Sequence, residues 1–322
     1  MKLITVNQNE AGQRLDKLLA KYLNQAPKSF FYKMLRKKNI TLNGKKAVGN
    51  ERLQVGDEIR LFLSEETIAG FTEEKKEVRI QQSQLDIVYE DEHILLVNKP
   101  AGMLSQKASP TDVSLVEHVI SYLLESGQFT GEDLKSFRPG ICNRLDRNTS
   151  GLVAAGKSLA GLQAMNELFK IRTLHKYYRC IVAGTLSKEQ RIKGWLWKNE
   201  KTNQVQIYRE EHKDALPICT EYVPLQKLDI DGKHCTYLEV NLITGRSHQI
   251  RAHLASIGHP LIGDTKYGDP KVNSYFRKQY GLKYQLLHAY RLEFPVLSGT
   301  LERLSEQSFT APLPRKFQEI LK

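Results

Sequence analysis

Arg138-Pro-Gly-Ile-Cys-Asn-Arg-Leu-Asp-Arg-Asn-Thr-Ser-Gly151 sets one carboxylate, Asp146, between Arg144 and Arg147 and brackets it with turn formers. Pro139-Gly140 and Asn148-Thr149-Ser150-Gly151 are breakers, so the acid belongs on a tight loop entering the apolar run Leu152 to Ala155. That run reads as a buried strand. A carboxylate held at the mouth of a strand is better positioned than one on a mobile surface loop. By themselves, however, Arg144-Leu-Asp-Arg147 are equally a solvated, salt-bridged turn.

Working outward, Ser158 can cap a helix carrying Leu159, Leu162, Met165, Leu168 and Phe169 on one side. His175 to Ala183 reads as a strand ending at Gly184, with Lys176 and Tyr178 on one face. Asn199 to Ala215 is charged and irregular, an inserted loop or hairpin with no assignable chemistry. Thr236 to Ile243 alternates strictly, as a half-buried strand does. It leads through Thr244-Gly-Arg246 to a helix with Ser247 as N-cap and Ile250, Leu254 and Ile257 at helical spacing, stopped by Gly258 and Pro260. On it His248 and Arg251 share a face while His253 points elsewhere, and the histidine spacing of five is not that of a zinc helix. Upstream, Leu85 to Tyr89 and His93 to Val97 are strand-like runs joined by an acidic turn and followed by Asn98-Lys-Pro-Ala-Gly102. Lys99 there is as readily a surface lysine.

The N-terminal part has a different texture. Leu15, Leu18, Leu19, Tyr22 and Leu23 form an amphipathic stripe, and Phe30, Phe31, Met34 and Leu35 give a second helix whose other positions include Lys33, Arg36, Lys37 and Lys38. Short strands follow at an Asn43-Gly44 turn and at Ile59 to Leu63, making a compact α/β module. No acidic residue occurs between Lys28 and Lys46, so the basic stretch is either a solvated helix face or a phosphate-contacting one. Ser64 to about Gln84 is polar without periodicity and reads as a linker.

The chain of 322 residues, 40% hydrophobic, has room for two domains and a sizeable core. Its 48 Lys+Arg against 36 Asp+Glu, a net +12, favour a polyanionic partner. Cys142, Cys180, Cys219 and Cys235 form no zinc or disulfide pattern, and reduced thiols are expected. With no signal-peptide pattern and no apolar run of about 18 residues, a cytoplasmic protein without membrane attachment is expected.

Arg144-Leu-Asp-Arg-Asn-Thr-Ser-Gly151 resembles the His-Arg-Leu-Asp-x-x-Thr-Ser-Gly motif of the RluA-type RNA pseudouridine synthases, with Asn143 at the position of the usual His. Asn98-Lys-Pro, Lys176-Tyr-Tyr178, and Thr244 to His253 with Gly258 to Asp264 and Tyr267-Gly268 resemble further motifs of that family. Leu287-His-Ala-Tyr-Arg-Leu-Glu-Phe and Ala311 to Pro314 resemble its closing strand and terminal turn. Arg14-Leu-Asp-Lys-Leu-Leu, the basic second helix, Leu42-Asn-Gly-Lys and Val55 to Ile59 together resemble an S4 RNA-binding domain.

The resemblance implies an α+β fold with a mixed, mainly antiparallel central sheet, preceded by the S4 module: residues 12–64, a linker at 65–84, and a catalytic domain at 85–322. It implies isomerisation of uridine to pseudouridine in RNA, with Asp146 as the catalytic residue, Tyr178 packing on the uracil, Arg251 pairing with Asp146, and Arg144 filling the space left by an extruded nucleotide. Lys33, Arg36, Lys37 and Lys38 become RNA contacts. Neither cofactor nor metal is called for, since atoms are neither gained nor lost. The implied substrate is large-subunit ribosomal RNA first and transfer RNA second, by analogy.

If Asp146, Tyr178 and Arg251 converge, their chemistry suits the implied role. An arginine beside a partly desolvated carboxylate favours the ionised form, which can act as nucleophile or base. Two other classes compete. A glycosidase would need a second acid about 5–10 Å away as proton donor, for which Asp264 is the candidate, and a non-catalytic ribosome-assembly factor would use Asp146 only to brace a loop.

Overall fold

The computed structural model describes residues 1–73 and 84–322. Residues 74–83, half of the expected linker, lie outside them. The first stretch contains β1 (Lys2–Thr5), α1 (Leu15–Tyr22), α2 (Lys28–Arg36), β2 (Ile40–Leu42), β3 (Lys45–Lys46), β4 (Glu58–Leu61) and α3 (Glu65–Phe71). Its strands form a sheet in the order β1-β4-β2-β3. The apolar stripes of both helices close a core of their own, with Leu15, Leu18, Leu19, Phe31 and Leu35 buried against Ile40, Ile59 and Leu61. This leaves Lys33, Arg36, Lys37 and Lys38 exposed on the outer side of α2 and the turn after it.

The helix α3 falls where a polar linker was expected. Ser64 caps it by accepting from Thr67 N, Glu65 and Glu66 suit its positive N-terminal end, and the Phe71 ring packs tilted on the Phe30 ring, centroids 4.6 Å apart. The first unit therefore extends past Leu63 by one more helix.

The second stretch is organised on one large sheet. It contains β5 (Ile87–Glu90), β6 (Ile94–Lys99), α4 (Leu115–Glu125), α5 (Asp133–Ser136), β7 (Gly140–Ile141), β8 (Ser150–Gly156), α6 (Leu159–Ile171), β9 (His175–Ala183), β10 (Gln190–Asn199), β11 (Gln204–Tyr208), β12 (Leu216–Ile230) and β13 (Lys233–Asn241). Then come α7 (Gln249–Ser256), α8 (Pro270–Tyr280), β14 (Leu287–Glu293), a 3-10 turn (Gly299–Leu304), β15 (Ser308–Thr310) and α9 (Arg315–Leu321). The strand order is β11-β10-β12-β13-β9-β14-β8-β6-β5, with β15 on β14 and β7 on β8. Among the described residues, β14 and β8 make the one parallel pair, so the sheet is mixed and mainly antiparallel.

The strand period of two divides the core between the sheet's faces. Leu95, Val97, Val153, Ala155, Tyr178 and Val182 point to one face, covered by α4 and α7 through Leu115, Val119, Ile250 and Leu254. Ile94, Leu96, Leu152 and Ala154 point to the other, covered by α6 through Met165 and Leu168. The charged stretch around residues 199–215 is in part a hairpin, β11 pairing back on β10 from Asn199↔Gln204 to Trp195↔Tyr208.

Gly151 fixes how β8 meets β14. Its φ is +114°, and an added Cβ would lie 2.2 Å from Ala289 O, so no other residue fits without moving a backbone. The neighbouring Ser150 hydroxyl lies 2.9 Å from His288 Nδ1, and Thr149 Oγ1 accepts from Gln285 Nε2 at 3.1 Å. The turn after Asp146 is thus anchored to the centre of the sheet.

Candidate active site

The loop that carries Asp146 is clamped from upstream as well. Lys99, at the end of β6, has no exposed surface and donates from Nζ to the carbonyl oxygens of Pro100, Met103 and Arg147 at 2.9, 2.8 and 3.2 Å. Burial lowers its pKa to about 7, against a smaller upward pull from the Asp146 charge. Ser105 Oγ donates to Leu145 O at 2.7 Å and accepts from Leu145 N at 3.1 Å. Gly102 N donates to Arg147 O, and Arg147 Nε donates back to Gly102 O. Lys99 is therefore a buried brace rather than a surface lysine. Asn143 is also engaged with backbone, accepting from Ala154 N at 2.8 Å and donating to Leu152 O at 3.2 Å along β8.

Three sequence-predicted residues converge on one cleft of about 810 Å³: Asp146, Tyr178 and Arg251 all line it. Arg251 Nη1 donates to Asp146 Oδ2 at 2.8 Å. Its other nitrogens go to Asp264, Nε to Oδ2 at 2.7 Å and Nη2 to Oδ1 at 2.8 Å. Burial acts to lower the Arg251 pKa, but Asp264 and Asp146 outweigh it and raise it further above the ordinary value. Burial likewise acts upward on Asp264, yet Arg251 and the Lys266 and Tyr267 backbone N–H groups hold its pKa below the usual carboxylate value. Tyr178 is buried, and burial, assisted by the Asp146 charge, pushes its hydroxyl pKa up. The phenol is therefore protonated at neutral pH.

Asp264 had figured in the sequence only as a possible second acid. A carboxylate with no exposure, ionised and gripped at both oxygens by one guanidinium, has no proton to give, which removes the glycosidase's donor. The Arg251 guanidinium also lies 5.2 Å from the Tyr267 ring centre. The helix α7 starts later than expected, at Gln249, with His248 rather than Ser247 at the cap. His253 faces away, Nδ1 3.0 Å from Thr220 Oγ1 in the interior.

Lys107, Arg144, Lys170, Arg172, Lys176 and Arg246 also line the cleft, and Asp146 is the one acid among its lining residues. Arg144 is exposed at its mouth. Lys176 is half-buried, its pKa lowered by burial and then by the nearby Arg172 charge. A cleft so charged attracts a polyanion and holds its single carboxylate among cations. Lys33, Arg36, Lys37 and Lys38 do not line it and belong to the separate exposed face of the first unit.

Residues 93–256 match the model of the RNA pseudouridylate synthase family, and residues 13–59 match the S4 domain. The first match alone spans half of the chain and contains Asp146, Tyr178 and Arg251. The chain belongs to the RNA pseudouridylate synthase family. A ribosomal large subunit pseudouridine synthase C of Pasteurella multocida is 30% identical, with 100% of this chain and 93% of the relative aligned. One of the same name from Vibrio parahaemolyticus is 28% identical over 100% of this chain and 96% of its own length. In fold, the synthase is similar to human RNA pseudouridylate synthase domain containing 4, with a TM-score of 0.57 at 22% identity over 73% of this chain and 91% of that one. The synthase is thus an RNA-modifying enzyme with an S4 domain at its N-terminus.

Proposed function

We propose that the synthase isomerises uridine in large-subunit ribosomal RNA and that Asp146 is its catalytic carboxylate. The observation that carries this reading is the ion pair of Asp146 with Arg251 in a cleft whose other charged lining residues are cations and which Tyr178 also lines. The relatives' names support the choice of RNA.

In the reaction the bond between ribose C1′ and uracil N1 breaks, the uracil turns, and C5 bonds to C1′. The C5 proton leaves and N1 takes one up, so the product is an isomer. Asp146 engages the ribose during cleavage. Arg251, held by Asp264, keeps that carboxylate oriented, and Tyr178 stacks on the uracil as it turns. A stacked or paired uridine reaches the cleft only by extrusion, at a cost of a few kcal/mol. Arg144, exposed at the mouth, fills the vacated space. Residues 12–64 act as the S4 unit, whose Lys33, Arg36, Lys37 and Lys38 hold RNA phosphates, and residues 85–322 carry the chemistry.

The test is tritium release from large-subunit ribosomal RNA labelled at uracil C5, comparing the wild type with Asp146→Ala. Release by the wild type alone is expected. Equal release by both removes Asp146 from the mechanism; release from transfer RNA only overturns the substrate. Arg144→Ala should slow modification of structured RNA more than of a flexible strand.

A further inference from the structure

His248 sits at the start of α7 with φ 53° and ψ 16°, in the left-handed region. A non-glycine residue there costs about 1–3 kcal/mol and persists only where the surroundings impose it. The helix does not need it as a cap, since its side chain makes no capping hydrogen bond. The ring turns to the cleft instead. Its side chain is 10% exposed, Nε2 lies 3.9 Å from Asp146 Oδ2, and Nδ1 lies 2.9 Å from Tyr267 Oη. A separation of 3.9 Å is too long for a hydrogen bond, so the Nε2 edge faces the carboxylate without being consumed by it.

The partners of the ring favour one placement of its proton. Val205 N–H of β11 donates to Tyr267 Oη at 3.1 Å, and the phenol's own proton then has His248 Nδ1 as its acceptor. A ring that accepts at Nδ1 carries its proton at Nε2. Burial keeps the imidazole below its ordinary pKa, with Arg251 and Lys266 acting the same way and Asp146 and Asp264 against it. The relay Val205, Tyr267, His248 therefore ends in an N–H beside Asp146. Its origin is the hairpin of β10 and β11, to which the sequence assigns no chemistry. Lys266 Nζ further ties the hairpin's turn to the site by donating to Asn203 O at 2.5 Å.

We propose that His248 is a catalytic residue: its Nε2–H donates to a uracil carbonyl oxygen as the glycosidic bond breaks, and the β10–β11 hairpin, through Tyr267, fixes the tautomer that makes it a donor. This rests on the assignment of Asp146 above. The departing uracil carries negative charge spread onto its carbonyl oxygens, and a donor already aimed at that charge stabilises the transition state without reorganising. Losing one such donor slows a reaction on the order of 10²-fold to 10³-fold.

Single-turnover tritium release from C5-labelled ribosomal RNA tests this with His248→Leu, His248→Gln and Tyr267→Phe beside the wild type. His248→Leu should be slower by about 10²-fold, with RNA affinity and thermal midpoint unchanged. The Gln amide N–H can take the place of Nε2–H, so His248→Gln should recover most of that loss, and Tyr267→Phe should fall between the wild type and His248→Leu. Wild-type rates in His248→Leu, or equal slowing by Leu and Gln, overturn the proposal. If His248→Leu does not fold, a Tyr267→Phe variant at the wild-type rate overturns it instead. Absence of release by the wild type itself bears on the proposed reaction and substrate, not on His248.

Discussion

Asp264 grips Arg251 through two parallel hydrogen bonds, Nε to Oδ2 and Nη2 to Oδ1, at a point where the acid has no exposed surface. The fork-to-carboxylate geometry leaves the guanidinium no freedom to rotate, and Nη1 is left aimed at Asp146. Asp146, the carboxylate proposed to be catalytic, is thus oriented by a second carboxylate that has no exposed surface of its own.

Asp264→Asn should therefore impair the reaction from behind. The amide keeps the size of the acid but not its charge, so Arg251 loses one of its two carboxylate partners while still buried. Breaking a buried pair costs about 3–5 kcal/mol. Urea unfolding should show a loss of that order, and single-turnover release should slow at least tenfold with RNA affinity unchanged. A variant as stable and as fast as the wild type would show that Asp146 alone suffices to hold Arg251.

Lys99→Met tests the brace on the other side of the loop. Three carbonyl oxygens would lose a donor, of which Arg147 O keeps another in Gly102 N, and an unsatisfied buried polar group costs about 1–3 kcal/mol. Stability should fall by about 3 kcal/mol or more, and activity should fall because the Arg147 carbonyl adjoins Asp146. Unfolding and turnover measured on the same preparation check both. Lys99→Arg should not rescue, because a larger planar guanidinium cannot place three donors around one point.

Much of this site was legible because its signals are local. Asp146 between turn formers, the apolar run Leu152 to Ala155, the Tyr178 strand and the Arg251 helix each depend on near neighbours. The parts that were not legible depend on distant ones. The burial of Lys99 follows from how its loop folds over Arg147, and nothing beside it in sequence distinguishes it from a surface lysine. His248 stands at the cap position expected for Ser247, and its ring partner, Tyr267, is 19 residues away. The helix α3 looked like linker because its apolar partner, Phe30, lies on another helix. Asp264 lay inside a quoted motif, yet its partnership with Arg251 became visible only in three dimensions.

The exposed basic face on and after α2 should contribute to RNA affinity through counterion release. Each phosphate contact contributes about 0.7 to 0.9 to the slope of log K against log salt. Replacing Lys33, Arg36, Lys37 and Lys38 together by Gln should reduce that slope by about 3, and weaken binding evenly across RNA sequences. The stability of the first unit should not change, since all four side chains lie outside its core. An unchanged slope would mean that this face is only solvated.

Acid should destabilise the fold in a defined window. His253 and His288 are buried, Nδ1 of each lying about 3 Å from a hydroxyl, and burial lowers both pKa values from 6.5 to about 4. Between those two values the unfolded chain binds protons that the folded one refuses, so stability rises with pH there. The contribution is fully present above 6.5 and is lost as the pH falls to about 4. A shift of this size corresponds to about 3 kcal/mol for each histidine. Asp264 acts separately, because its lowered pKa places its linkage below 3.8. Urea unfolding at successive pH values from 7 to 4.5 should show the decline, to which the lowered His118 and His248 also add, and His288→Asn should lessen it by abolishing one titration while keeping a partner for Ser150. An unchanged slope in that variant would place the acid sensitivity elsewhere.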